Sequence, residues 1–113
     1  MRLPNAERAV VDETKVRGYL LAAEHPVGRF KAAFFRTLGY TPADWLHLLQ
    51  SLVAHARTAD AVPESASAYG QKFRIRAMLR GPNGRSATVV SIWIIRLGDD
   101  EPRFVTAFPG DSR

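Results

Sequence analysis

The chain has 113 residues, 46% of them hydrophobic, with 16 basic and 11 acidic side chains and a formal charge of +5. That length suits one domain over residues 1–113 and is short for two, and the apolar fraction supports a real core and excludes a disordered chain. There is no cysteine, which excludes disulfides and thiolate-held zinc or iron–sulfur sites.

The charge surplus favours anionic partners: nucleic acid, an acidic protein or an anionic membrane surface. No apolar run approaches a membrane span. Met1-Arg2-Leu3-Pro4-Asn5 lacks the apolar core of a signal peptide. A cytoplasmic location without membrane attachment is expected.

Residues 1–11 read as extended, with Val10 and Val11 as a short strand or as a cover over the core. Asp12 stands where a carboxylate caps a helix start. Val16, Tyr19 and Leu20 then fall on one helical face, and the helix should stop before Pro26, which disfavours helical geometry at His25. A second helix is expected from Gly28, with Phe30, Phe34 and Leu38 on one stripe and Gly39 as its stop. Thr41-Pro42 reads as a cap followed by proline at the first helical position. The third helix runs to about Arg57, with Trp45, Leu48, Leu49, Leu52 and Ala56 as its apolar face. Residues 59–70 are small and polar and read as a connector, with room for a short edge strand near its end.

The second half reads as β structure. Over residues 71–80, Phe73, Ile75, Ala77 and Leu79 alternate with Lys72, Arg74, Arg76, Met78 and Arg80. Gly81-Pro82-Asn83-Gly84 is a strong turn, residues 85–97 form a long β-branched strand, residues 98–101 turn again, and residues 102–108 form the last strand. The expected fold is α+β: three N-terminal helices packed on one face of a C-terminal antiparallel sheet of about four strands.

If the turn pairs Arg80 with Arg85, then Phe73 opposes Ile92 and Ile75 opposes Val90 on the core face. On the other face Lys72 opposes Trp93, Arg74 opposes Ser91 and Arg76 opposes Val89. A similar pairing across the second turn sets Trp93 opposite Thr106 and Ser91 opposite Phe108. The expected open face therefore carries Lys72, Arg74, Arg76, Arg80 and Arg85 beside Ser91, Trp93, Thr106 and Phe108. No acidic residue occurs from 71 to 98. Cations there would contact phosphates, and Trp93 and Phe108 would stack bases.

The segment from His25 to Lys31 is a second candidate. A helix starting at Gly28 offers N–H groups to an anion, Arg29 and Lys31 stand in its first turn, and His25 exchanges a proton near neutral pH. His47 and His55 lie two helical turns apart, about 12 Å, too far to share a metal, and both read as exposed. Asp99, Asp100 and Glu101 sit together in a turn. No clustered carboxylates, HExxH, Walker or dinucleotide pattern appears, and no Ser–His–Asp set is evident. Neither a metal nor a cofactor is expected.

Several segments together resemble the bacterial domain of unknown function 6883 family. They are Leu3-Pro4-Asn5-Ala6, Tyr19-Leu20-Leu21, His25-Pro26-Val27-Gly28 with Lys31-Ala32, Leu38-Gly39-Tyr40, Tyr69-Gly70, Gly81-Pro82-Asn83-Gly84-Arg85, Trp93-Ile94-Ile95, and the run from Pro102 to Pro109. The likeness covers nearly the whole chain. The order of elements is also similar to the barnase–EndoU–colicin–RelE group of ribonuclease toxins. That resemblance implies RNA cleavage without a metal, by attack of the 2′-hydroxyl on the adjacent phosphate at the sheet face. On this expectation Lys72, Arg74 and Arg76 hold the phosphate, and His25 or Lys31 is the general acid or base. Trp93 stacks a base, Thr106 donates to a phosphate oxygen, and an acidic antitoxin or immunity protein is the partner. The alternative is a non-catalytic module that binds RNA or an acidic protein.

Overall fold

A computed structural model describes residues 1–26 and 28–110; Val27, within the His-Pro segment quoted above, lies outside the described residues. Among the described residues three α-helices precede the sheet, with short 3-10 turns at Ala6–Arg8 and Pro42–Asp44: α1 at Glu13–Lys15, which runs into a wider turn over Val16–Leu20, α2 at Arg29–Thr37 and α3 at Trp45–Thr58. Four strands follow: β1 at Ala61–Ser67, β2 at Gly70–Arg80, β3 at Ser86–Arg96 and β4 at Arg103–Pro109. They form one antiparallel sheet in the order β1-β2-β3-β4. The architecture is the expected α+β arrangement, with the helical layer on one face of the sheet.

The periodicity of α3 explains its place. Leu48, Leu52 and Ala56 fall at four-residue steps and are all buried. They meet Phe73, Ile75 and Leu79, the inward side of β2, in a core that also takes Val16, Leu20 and Phe35 from the first two helical elements. Thr41 and Asp44 form a reciprocal capping box before α3, which satisfies N–H groups that would otherwise lack partners.

Three expectations change. The first helix does not run to Pro26. After α1 the Leu21 N–H donates to Val16 O, 2.9 Å, five residues back, and this widened turn hands over to irregular chain before Gly28. The edge strand given room near the end of the connector begins earlier and takes most of it: it is β1, which pairs with β2 through Ala61↔Ile75 and Val62↔Arg74. Its side chains after Ala61 are exposed, so no buried alternation announces it.

The third change decides the site. The hairpin loop holds five residues, because the Gly81 N–H donates to Arg85 O at 2.8 Å and Arg80 pairs with Ser86. One residue of slip turns every β3 side chain over. Phe73 therefore faces Trp93, Ile75 faces Ser91, and Arg74 and Arg76 face Ile92 and Val90. The Trp93 indole is fully buried, donates to Ser91 Oγ at 2.9 Å and meets Phe104 edge-on at 5.5 Å. Burying the larger side chain with its N–H satisfied is the better use of the core. Across β4, Ile92 pairs with Thr106, Val90 with Phe108 and Ser91 with Ala107, and the ladder shifts between Ile92 and Trp93, leaving Val105 as the extra residue.

His55 also departs from expectation. It is half-buried, and its Nε2 donates to Met78 O at 2.8 Å. Its Nδ1 is buried without a hydrogen-bond partner among the described residues. Burial holds its pKa below the ordinary 6.5, opposed by the bond to the Met78 carbonyl.

Residues before α1 strap the sheet. The Ala61 N–H donates to Met1 O, Arg2 bridges Asp60, and Val10 bridges Arg103 in parallel, exchanging bonds with Pro102 O and the Phe104 N–H. Leu3 is buried between these two ties.

Candidate functional site

Side chains that oppose one another across a sheet share a face. The transverse row Val62–Arg74–Ile92–Thr106 therefore lies on the face away from the helices, and so do Arg76–Val90–Phe108 and Lys72–Ile94–Arg103. The expected cationic face exists, with Arg74, Arg76, Lys72, Thr106 and Phe108 on it. Trp93 and Ser91 are not: both are fully buried on the core side, so neither can meet a ligand on the open face. β3 instead turns Val90, Ile92 and Ile94 to this side, Val90 buried and the other two half-buried, between the cations of β2 and the polar groups of β4.

The face is not without acid. β1 brings Glu64 to 4.0 Å from Arg74. Asp60 shares a hollow of about 320 Å³ with Val62, Arg74, Arg76 and Val90. Sequence distance hid this pairing, because both acids precede residue 71.

The β4 margin is built differently. Lys31, in the first turn of α2, is partly buried and places its ammonium between two oxygens. It donates to the Tyr19 phenol at 2.5 Å and to Thr106 Oγ1 at 3.1 Å. The same nitrogen lies 4.8 Å from the centre of the Tyr19 ring. His25 meets that ring edge-on at 5.1 Å, and its Nδ1 accepts the Gly28 N–H at 2.9 Å. With Nδ1 occupied as an acceptor, the neutral ring carries its proton on Nε2. His25 and Lys31 from one segment and Thr106 from far along the chain line one hollow of about 550 Å³ with Tyr19, Lys15 and Val105.

Local backbone explains the assembly. Tyr19 stands in the widened turn after α1, a distortion that recurs at functional sites. Gly28 lies so close to that turn that an added Cβ would stand 2.2 Å from Tyr19 O; only glycine lets α2 start here. Arg29, by contrast, is exposed and lies over the Phe30 ring at 4.8 Å, so the start of α2 gives Lys31 alone to the hollow.

Tyr19 is the residue that sequence reasoning missed, having been assigned to an apolar helix face. Its phenol pKa is lowered from 10.0, first by the hydrogen bond from Lys31, against the opposing effect of burial, with further lowering by Thr106 and by the charges of Lys31 and Lys15. A phenol held next to an ammonium in this way can carry a proton in chemistry at a phosphate.

A larger hollow, about 560 Å³, adjoins the first through Lys15 and Val105, which line both. Lys15 ties the two by donating to Val105 O at 3.3 Å. The other lining groups include Tyr69, Lys72, Arg96 and Arg103. Among the described residues no three His, Asp or Glu side chains gather as metal ligands. No helix there is long and apolar enough to cross a membrane.

The fold and site define a small α+β protein with a cationic open sheet face and a Tyr–Lys–Thr cluster at one margin. The chain belongs to the family described as Domain of unknown function (DUF6883), whose profile matches residues 2–111. It is also similar in fold to a chain of the contact-dependent growth inhibition toxin–immunity protein complex from Klebsiella pneumoniae 342. The TM-score is 0.72 at 21% identity, over 89% of this chain and 99% of that chain. No curated protein matches the sequence.

Proposed function

We propose that the chain is a toxin-type endoribonuclease that works without a metal, with its reaction centre at the Tyr19–Lys31–Thr106 cluster. The observation that carries this reading is the Lys31 ammonium held between a phenol and a hydroxyl, 2.5 and 3.1 Å away, at the rim of a cationic sheet face. Support in kind comes from the fold likeness to a chain of a toxin–immunity complex. The partner class that follows is an acidic immunity protein or antitoxin, and the place of action is the cytoplasm, where RNA is found.

The chemistry follows from the contacts. The fraction of Tyr19 that is ionised, a form the neighbouring Lys31 ammonium favours, takes the proton of a ribose 2′-hydroxyl. The 2′-oxygen bonds to the adjacent phosphorus and the bond from phosphorus to the 5′-oxygen breaks. Lys31 gives a proton to the departing 5′-oxygen and recovers one from the Tyr19 phenol beside it, which closes the cycle and leaves a 2′,3′-cyclic phosphate and a 5′-hydroxyl. Thr106 donates to a phosphate oxygen as charge builds. His25, whose Nδ1 is engaged by Gly28, serves as an Nε2–H donor that orients the phosphate, a different part from the proton carrier expected of it. Arg74 lies in the Thr106 row two strands away, roughly 9.5 Å at ordinary strand spacing, and binds a neighbouring phosphate.

The test is incubation of the purified chain with total RNA in a chelator, with analysis of the new ends. Cyclic phosphate ends from the native chain, and their loss in Tyr19→Phe, are expected. Intact RNA with the native chain, or undiminished cleavage by Tyr19→Phe, would refute the assignment.

A further inference from the structure

The larger hollow is not used by that chemistry. It lies where the β1–β2 turn, the end of β3 and the start of β4 meet, and Lys15, Lys72, Arg96 and Arg103 line it against a single lining carboxylate, Asp12. Arg103 is additionally held by Asp99 at 3.4 Å. Lys72 and Arg96 form no ion pair within 4.0 Å among the described residues. At its lip Tyr69 is 79% exposed.

That exposure is built in. The Tyr69 N–H donates to Ser67 Oγ at 3.1 Å, and the Tyr69 carbonyl accepts the Leu97 N–H at 3.1 Å. The next residue, Gly70, has a φ of +150°, and a Cβ there would stand 2.2 Å from Ile95 O. A pinned backbone thus presents an aromatic ring to solvent next to four cations. Ile94, Phe104 and Val105 give the hollow an apolar floor.

We infer that this hollow is a nucleotide subsite for single-stranded RNA, with a phosphate on Lys72 and Arg96 and an unpaired base stacked on Tyr69. This deepens the ribonuclease reading and rests on it for the kind of nucleic acid. Volume agrees, since pockets for small ligands run to roughly 300–1,000 Å³. So does position: Arg103 and Thr106 oppose Ile94 and Ile92 across the bulge at Val105, which leaves them on one face of β4 about 6.6–6.8 Å apart. The two hollows adjoin through Lys15 and Val105, so they hold successive parts of one strand. A duplex cannot use Tyr69, because its base faces are already stacked within the helix. An acidic protein would need the cations but not an aromatic platform.

The experiment measures fluorescence anisotropy of the full chain with a short, labelled 2′-O-methyl RNA, which cannot be cleaved, alone and annealed to its complement. Tyr69→Ala should weaken single-strand binding by about 5- to 150-fold, and Tyr69→Phe should restore it. Duplex binding should be indifferent to residue 69. Lys72→Ala and Arg96→Ala should each flatten the salt dependence, by about 0.7 in log–log slope. No oligonucleotide binding, equal losses on single strand and duplex, or no effect of Tyr69→Ala overturns the subsite. If the native chain binds through Tyr69 but cleaves no RNA, the subsite stands and the ribonuclease reading falls. If it cleaves RNA while Tyr69→Ala binds normally, the reverse holds.

Discussion

The two margins of the open sheet face both carry cations, yet they are different environments. At the β1 margin the Arg74 guanidinium has Glu64 at 4.0 Å, and Asp60 borders the hollow it shares with Arg76. At the β4 margin the Lys31 ammonium is partnered by two neutral oxygens. Counting positive charges treats these as equal. The partner makes the difference: a carboxylate neutralises the charge, whereas a phenol and a hydroxyl leave it available and are themselves activated by it.

The largest effect that should separate the margins is on turnover. Lys31→Met is expected to lower RNA cleavage by about 10²- to 10⁴-fold, and to shift the phenol of Tyr19 upward in a titration followed by ultraviolet difference absorbance. Arg74→Ala should instead raise KM with little change in kcat. Equal losses in kcat from both would erase the distinction drawn here.

The contrast also requires that β3 turn its tryptophan inward. Trp93→Ala should cost about 3–5 kcal/mol in denaturant unfolding, because it empties the core against Phe104. A surface-sized effect under 0.5 kcal/mol would return the indole to the open face and reinstate it as a base platform.

A smaller, pH-linked term is expected from His55, away from either margin. Its folded pKa is depressed, so the unfolded chain binds the extra proton and stability rises with pH across that interval. The contribution is complete above the unfolded value of 6.5 and is lost as pH falls through the folded value. His55→Gln keeps a donor for Met78 O and should flatten the fall in Tm below neutrality. An unchanged profile would show that the buried Nδ1 is not the cause.

The smallest effect belongs to the β1 margin. Glu64→Gln removes an exposed ion pair of the kind worth under about 1 kcal/mol. It should lower KM for RNA by no more than about fivefold, with no stability change beyond that scale. A large gain would mean that Glu64 gates the face.

Much of the fold was legible because one strand is unambiguous. β2 alternates cations with apolar residues, so its two sides could be assigned from sequence alone, and α3 declared itself through Leu48, Leu52 and Ala56. β3 could not be assigned that way. Val90, Ile92 and Ile94 are as apolar as Val89, Trp93 and Ile95, so the penalty for burying arginine fixes β2 and says nothing about which way β3 turns. The loop decided it, by one residue. β1 was legible only as a short edge strand near the end of a connector, because its exposed Pro, Glu and Ser side chains carry no β signature. Of the site, Lys31, His25 and Thr106 were chosen for their chemistry and do share a hollow. Tyr19 looked like core because helical spacing matched, and the widened turn that places it by Lys31 has no local sequence signal. Lys15, Tyr69, Arg96 and Arg103 converge from four separate segments, which no short motif can encode.

The ten residues at the start of the chain have a consequence for assembly. By tying Met1 to Ala61 and Val10 to the Pro102–Phe104 stretch, they occupy part of the hydrogen-bonding rim on both outermost strands. Bare strand rims invite other chains to add on. The rims left for a visiting strand are those of β1 after Ala61 and of β4 beside Thr106. An inhibitor that added a strand to β4 would settle next to the proposed reaction centre and shade it.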